Sequence, residues 1–470
     1  MAAADDDAAR LRELGYEQEL RRRLRGVDNI AMGIATISPV VGLYAVALVG
    51  TTLAGPAWLW VLPVALAGQC LLLAVYSELA AKYPVSGGPY QWTRRLVGPR
   101  YGWFTGWVAV CAYMAANTTI AYLGAPWLLA LLEIDPRPGA TVAAGLVLVA
   151  AAALAGAFGI DLLTRVVQAG IAAEATALAL IGVILLLAFR EQDFSILGET
   201  LGAEALSGGS TFAGLVAALA VAGWVFIGFD ACVSTAEETK QATRQVPRAV
   251  WVSMLTVAAL VFLNAVAATL AHPEPQAVVD GSDPDPVTTA VVSSFGDWST
   301  KPFAAVVLVA FVACGAAALG LTARSLFSIA RDGVLPASAA LRKVDDRGTP
   351  RTALVVAAVV AGAGLLLGLE STAIGSLIAF GTAGIYVSFL LIAVAALVAR
   401  LRGGLDRGRL VLNALAVAWL AFETVNIAWP RESIAPPGAP AYQVWAAPLV
   451  LAVIAVTGFA YLLLARPTQR

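Results

Sequence analysis

A chain of 470 residues that is 60% hydrophobic and only 13% charged is not a string of soluble domains, which run at roughly 45–50% apolar and about 25% charged residues. Its mean hydropathy of +0.81 and net charge of −1 give no hint of a nucleic-acid partner. With one histidine, His272 beside Pro273, and four scattered cysteines (Cys70, Cys111, Cys232, Cys314), neither a histidine-based metal or catalytic site nor a structural disulfide is expected.

Apolar runs of about 20 residues recur along the chain, each long enough for a hydrocarbon core of roughly 30 Å. The runs are continuous rather than alternating, and lipid satisfies no backbone polar group, so they are helices. Residues 1–27 form a charged tail with no apolar stretch before a cleavage site, which is not the pattern of a removed signal peptide. The expected spans follow at 28–54, 57–81, 101–131, 140–158, 165–189, 211–238, 248–271, 301–331, 352–369, 372–399, 409–429 and 442–465. With the N-terminus inside, all but four of the 30 basic residues (Arg137, Arg190, Lys301, Arg431) fall on the cytoplasmic side, as the positive-inside rule requires. An error in the count would scramble that alternation. The expectation is therefore an all-α, multi-pass protein of the cytoplasmic membrane with twelve transmembrane helices and both termini cytoplasmic.

Span 1 is interrupted by Thr36-Ile37-Ser38-Pro39-Val40-Val41-Gly42, where Pro39 removes a donor and clashes with the preceding turn. Span 6 carries Gly223-Trp224-Val225-Phe226-Ile227-Gly228-Phe229-Asp230, a glycine-flanked stretch ending in a carboxylate. The two breaks lie five spans apart, and five is odd, so a tandem five-helix unit enters the membrane from opposite sides. Interrupted segments at matching positions of two halves point to a transporter binding site. The half-helix N-termini offer N–H groups and a positive dipole end to an anion, and unwound carbonyls suit an ammonium group or cation. The expected organisation is a first five-helix repeat at 28–190, a second, inverted one at 210–399, two further helices within 409–465 with a peripheral or oligomerising role, and a cytoplasmic tail at 466–470.

Several polar residues stand inside apolar spans. Glu174 lies mid-span 5, where a carboxylate costs about 2.5–3.5 kcal/mol or more unless paired, protonated or hydrated. It is read either as a proton-coupling group or as a neutral, hydrogen-bonded structural carboxyl. Asp230 begins the second half of span 6, where it either couples protons or caps the half-helix. Glu78, Glu237 and Glu238 stand near cytoplasmic span ends facing Lys240, Arg244, Arg94 and Arg95; they form either an inner gate of ion pairs or a solvated rim. Asn117, Thr118 and Thr119 in span 3, and Ser325 and Ser328 in span 8, line the pathway or pack helix on helix.

At Ile37-Ser38-Pro39-Val40-Val41-Gly42, at Ser77-Glu78-Leu79 through Tyr83-Pro84-Val85-Ser86-Gly87-Gly88-Pro89-Tyr90-Gln91-Trp92, and at Phe226-Ile227-Gly228-Phe229-Asp230 through Ala236-Glu237-Glu238-Thr239 to Val246-Pro247-Arg248-Ala249, the chain resembles the amino acid–polyamine–organocation (APC) superfamily, closest to its amino acid/choline transporter branch. The resemblance covers spans 1–10. It implies the LeuT-type five-plus-five inverted-repeat fold with broken helices 1 and 6, and transport of an amino acid, γ-aminobutyrate, choline or a polyamine. By that resemblance Ser38, Val40, Val41 and Gly42 supply backbone groups to the substrate's carboxylate, Val225, Phe226 and Ile227 offer carbonyls to its amine, and Trp224 is the aromatic gate. Span 5 in such transporters packs near spans 1 and 8, which brings Glu174 to the ion-coupling region.

The expected function is a secondary active permease working by alternating access, with proton symport expected and sodium open as the coupling ion. An exchanger of the same fold is the alternative. A non-transporting sensor or intramembrane enzyme is disfavoured by the paired breaks. The chain has no Gly-x-x-x-x-Gly-Lys-Ser/Thr loop, so ATP-driven transport is not expected, and neither are enzymatic activity or a cofactor.

Overall fold

A computed structural model describes residues 2–369, 374–431 and 440–465, with side chains resolved for 7–369, 381–431 and 440–465. The expected start of span 10 at 372 and the tail at 466–470, with Arg466 and Arg470, lie outside the described residues.

The helices in chain order are α1 (Ala2–Glu13), α2 (Gly26–Ile37), α3 (Pro39–Ala54), α4 (Val61–Lys82), α5 (Gly88–Leu96), α6 (Pro99–Leu131), α7 (Pro138–Ala157), α8 (Ile160–Ala188), α9 (Thr211–Ala222) and α10 (Ala231–Ser234). They continue with α11 (Ala242–Ala271), α12 (Pro275–Val279), α13 (Pro286–Phe295), α14 (Thr300–Arg331), α15 (Ser338–Leu341), α16 (Arg351–Leu365), α17 (Ile374–Leu401), α18 (Leu410–Ala428), α19 (Ala441–Val444) and α20 (Ala446–Leu464). Among the described residues, eleven stretches are long and apolar enough to cross a membrane. One of them, Gly26–Lys82, is 57 residues long, about 85 Å at 1.5 Å per residue and so far more than one bilayer crossing needs. Its two ends share a face of the molecule. Leu24 pairs with Glu238 and Lys240, Asp7 accepts from Gln241 N at 2.7 Å, and Arg10 on the same N-terminal segment reaches the Lys82 carbonyl at 3.0 Å. The stretch therefore folds back on itself and makes two passes, which brings the total to twelve.

Both interruptions fall where the sequence places them. α2 stops at Ser38, whose φ of 46° and ψ of 109° leave the helical region, and Pro39 opens α3 at the one helical position where its missing N–H costs nothing. α9 gives way to a 3-10 turn at Gly223–Phe226, an extended Ile227, and Gly228 at φ +112°, before α10 begins. Spans 1 and 6 run antiparallel. As the chain advances from Leu24 through Asn29 to Thr36, its neighbours retreat from Lys240 through Thr235 to Gly228. Beyond the break, Gly42 packs on Val225 and Leu53 on Gly214 in the same sense. Opposite directions follow from an odd number of intervening crossings, the arrangement of the LeuT-type fold.

Basic residues of the N-terminal segment and of the connections after spans 2, 8 and 10 meet on one face, which the connections after spans 4 and 6 share. Arg95 donates to Leu14 O, Arg347 to Phe158 O, Arg351 to Ala157 O, and Arg400 pairs with Glu78, while the N-terminal segment holds Lys82 and Gln241 as above.

The structure departs from the expected boundaries in three places. α5 occupies the connection between spans 2 and 3, and α12 and α13 fill the one between spans 7 and 8. α13 is built by Asp285, which accepts from Thr288 N at 3.2 Å, and by Pro286 at the first helical position. α11 begins at Ala242 rather than 248 and runs through Pro247, whose lost donor falls in the second turn.

Asn29 ties the two broken spans together with three buried hydrogen bonds, to Cys232 O (3.0 Å), Thr235 Oγ1 (2.9 Å) and Thr239 Oγ1 (2.9 Å). Asn29→Ala removes the donor and leaves buried acceptors unpaired, so stability is expected to fall by about 1–3 kcal/mol, read as a lower melting temperature of the detergent-purified protein. An unchanged melting temperature would show that these bonds contribute no net stability.

Candidate functional site

The end of a half-helix inside a membrane has N–H groups with no intrahelical partner. At the start of α3 the chain supplies its own acceptors. Glu174, on α8 and 1% exposed, accepts through Oε1 from Ser38 Oγ at 2.7 Å and Val40 N at 2.8 Å. Val41 N donates to Ser38 Oγ at 3.2 Å and Gly42 N to Ser38 O at 2.9 Å, and Pro39 has no N–H. The positive end of the half-helix is thus closed by a carboxylate, the group its dipole favours. Glu174 Oε2 has no partner among the described residues.

Beside this cap lies a narrow cavity of about 30 Å³, room for water rather than for a whole substrate in this conformation. Its polar wall is Thr36, Tyr113, Asn117 and Asp230; its apolar wall is Ile37, Val41, Ile120, Leu321 and Ile385; Trp224 and Ile227 complete it. The Tyr113 hydroxyl donates to Asp230 Oδ2, and Asp230 Oδ1 is buried without a partner among the described residues. Asn117 Nδ2 donates to Tyr113 O (2.7 Å) and Thr322 Oγ1 (2.8 Å), while its Oδ1 is likewise unpartnered. Buried polar atoms left open in this way are acceptors, and a cavity walled by acceptors and a carboxylate suits an amine. Gly228 lets the two breaks touch: a Cβ there would lie 2.7 Å from the Thr36 carbonyl carbon and oxygen.

Of the residues the sequence singles out, Val41, Asn117, Trp224, Ile227 and Asp230 line the cavity. Ser38 and Val40 face Glu174 instead. Gly42 lies against Val225, and Val225 and Phe226 are buried in the packing between α3 and the break of span 6. Tyr113 went unremarked in the sequence, although it stands four residues before Asn117 and so on the same helical face. Thr36 sits inside the quoted break but was given no role.

Glu78, Glu237 and Glu238 all find arginine partners, though not the ones their neighbouring loops suggested. Arg331 donates to both oxygens of Glu237 at 2.9 and 3.0 Å, and Ser86 N adds a third bond at 3.0 Å. Arg324 pairs with Glu238 and Arg400 with Glu78. Arg94 goes to Asp332, and Arg95 to Gln91 and Leu14 O. Three of these arginines come from spans 8 and 10, far along the chain, which is why local reading missed them. The N-terminal segment lies over the cluster. Gln18 donates to Glu237 O at 3.0 Å, Tyr16 donates to Asp332 at 2.9 Å, and the Arg331 guanidinium stands 3.8 Å from the centre of the Tyr16 ring. Burial and the neighbouring Asp332 charge push the Tyr16 phenol above its ordinary pKa, so it stays a donor.

Comparison with known proteins follows the same outline. Residues 29–456 match the family described as amino acid permease. The chain is 27% identical to the amino-acid permease BAT1 homolog of Oryza sativa subsp. japonica, over 91% of this chain and 88% of that one. It is 24% identical to amino-acid permease BAT1 of Arabidopsis thaliana over 91% and 89%. With the branched-chain amino acid permease BcaP of Bacillus subtilis it shares 27% identity over 88% of this chain and 90% of the other. A match that spans both breaks, the cavity and the basic face leaves one conclusion: the chain belongs to the amino acid permease family, within the amino acid–polyamine–organocation superfamily.

Proposed function

We propose that this permease carries an aliphatic amino acid across the cytoplasmic membrane, with both termini cytoplasmic, by proton symport. The observation that carries the coupling is the Glu174 carboxylate seated on Ser38 Oγ and Val40 N. An ionised Glu174 occupies the donors that a substrate carboxylate needs at the broken helix. A protonated Glu174 is a much weaker acceptor, since charge roughly doubles the strength of such a bond. Protonation therefore frees the donors, and the substrate carboxylate replaces the internal one. Proton and substrate bind together because one vacates the place of the other.

The amine end is assigned to the Asp230–Tyr113 wall and the Thr36 carbonyl, and the side chain to Ile37, Val41, Ile120, Leu321 and Ile385. That apolar wall favours an aliphatic substrate over choline or a polyamine, and the branched-chain permease among the relatives points the same way. Trp224 covers the site. On the opposite side of the cycle, the ion pairs of Glu78, Glu237 and Glu238 hold the basic face shut and break when it opens.

Purified protein in sodium-free liposomes with an inward proton gradient is expected to accumulate radiolabelled leucine, isoleucine or valine, and to lose the accumulated label on adding a protonophore. Apparent substrate affinity should fall as pH rises. Glu174→Gln should abolish that pH dependence and the accumulation while retaining exchange of labelled for unlabelled substrate. Uptake that appears only after preloading the vesicles would identify an exchanger, and full proton-driven uptake by Glu174→Gln at normal expression would remove the coupling role.

Gly228→Ala is expected to abolish uptake without preventing membrane insertion. The added methyl meets backbone rather than a movable side chain, and φ +112° is a conformation that L side chains rarely adopt. Wild-type uptake by this variant would show that the two breaks need not touch.

A further inference from the structure

Span 11 lies outside the repeat, yet it buries a carboxyl group. Glu423 on α18 is 1% exposed, and neither of its oxygens has a hydrogen-bond partner among the described residues. Its neighbour Asn426, one turn on, is the donor in reach, and its amide is shared: Nδ2 donates to Val216 O at 3.0 Å and Oδ1 accepts from Arg431. Trp419, one turn back, has a buried Nε1–H that also lacks a partner among the described residues. An ionised carboxylate so thinly compensated is costly at membrane depth. A neutral carboxyl is less so, and the next question is what its proton controls.

The titratable groups in reach answer it. Glu423 interacts electrostatically with Tyr386 on α17 and with Arg431 beyond the end of its own helix. Of the other charged or titratable groups on elements packed against α18, α9 has none, and α4 presents Cys70, Tyr76, Glu78 and Lys82. α17 also carries Arg400, which bonds Asn413 and pairs with Glu78, the 3-10 turn before α18 carries Arg407 and Arg409, and Tyr461 on α20 stacks on Trp103. Tyr386 is fully buried and accepts from Gln69 Nε2 at 2.5 Å. Its own O–H is spent on no acceptor among the described residues, and Gln69 Oε1 is unpartnered as well. The same hydroxyl lies against Gly223, where an added Cβ would sit 2.5 Å from it. Gly223 is the first residue of the 3-10 turn that breaks span 6 and carries Trp224.

We propose that Glu423 is a second proton-binding carboxyl, and that Tyr386 links its occupancy to the hinge of the broken sixth span. When Glu423 is neutral, Tyr386 stays with Gln69 and packs on Gly223, holding the turn in place. When Glu423 loses its proton, the new charge draws the Tyr386 O–H toward span 11, and the contact on Gly223 loosens. Span 11 is then a proton-reading element that acts on the gate from outside the repeat, separately from Glu174.

The chain carries its own reporter. Cys314 lines the central cavity, so a full-length variant retaining only that cysteine reads gate opening through its rate of alkylation. In a Glu174→Gln background, which silences the first site, the rate relative to its value at low pH is expected to rise as pH increases. Adding Glu423→Gln, which mimics the neutral acid, should remove that rise beyond the ordinary ionisation of the thiol. Tyr386→Phe should remove it too. Infrared difference spectra between acid and alkaline pH should show a protonated-carboxyl band that Glu423→Gln deletes and Tyr386→Phe keeps. An unchanged band in Glu423→Gln would refute proton binding at this residue. A lost band with an unchanged alkylation profile would refute the link to the hinge. Neither readout requires transport, so failure of the proposed substrate assignment would leave both results interpretable.

Discussion

The structure turns on how a helix broken in the middle of a membrane satisfies its own ends. In water the free N–H groups at the start of α3 would find solvent; at mid-depth each unsatisfied group costs several kcal/mol. The chain answers with Ser38, which caps the end through its own side chain, and with Glu174, which reaches across from α8 to Ser38 and Val40. The bond fixes more than one helix. It sets α8 beside the break, α14 against both, and it puts the cavity next to a carboxylate whose partners are the donors a substrate would want. The stability of the unloaded protein and its affinity for substrate are then properties of the same few atoms.

The basic face solves a different problem. There, Glu237, Glu238 and Glu78 are buried against Arg331, Arg324 and Arg400. Burying both members of a pair brings little net stability, because desolvation offsets the attraction, but removing one partner costs about 3–5 kcal/mol. Such contacts suit a gate: they are indifferent as a set and intolerant of partial opening, so the face tends to open as a unit. Tyr16 and Gln18 add the N-terminal segment to that unit. Leu11, Leu20 and Leu24 are buried with it, which makes the segment part of the packed face.

Sequence patterning carried the architecture because its causes are local. Span length, the distribution of arginine and lysine, and the helix-breaking pairs Ser38-Pro39 and Ile227-Gly228 each act within a few residues. The same holds for the break positions, and so for Val41, Trp224, Ile227 and Asp230 on the cavity wall. What stayed hidden depends on contacts between distant residues. Nothing near Val40 says that its N–H is taken by Glu174, 134 positions on. Nothing near Glu238 points to Arg324 rather than Lys240. Tyr113 is the intermediate case: its spacing from Asn117 made it visible, but only the fold puts Asp230 beneath its hydroxyl.

The buried acids of the membrane region can be ordered by what holds them, and the order argues for their roles. Glu237 and Glu238 meet the full positive charges of Arg331 and Arg324. Asp230 meets one phenolic donor and keeps an open oxygen, which suits a group that receives an amine. Glu174 meets neutral donors that a competing anion can take over, which is the condition for exchanging a proton against a substrate. Glu423 has only the shared Asn426 amide and the Arg431 charge to meet it. The four environments run from a full opposite charge to a shared amide beside one arginine. A peripheral helix that kept such a group for packing alone would gain more from a leucine of similar size. Glu423 sits where its charge reaches Tyr386, which packs on Gly223 of the sixth-span break, and the proposed link would give the chain a reason to keep an acid there.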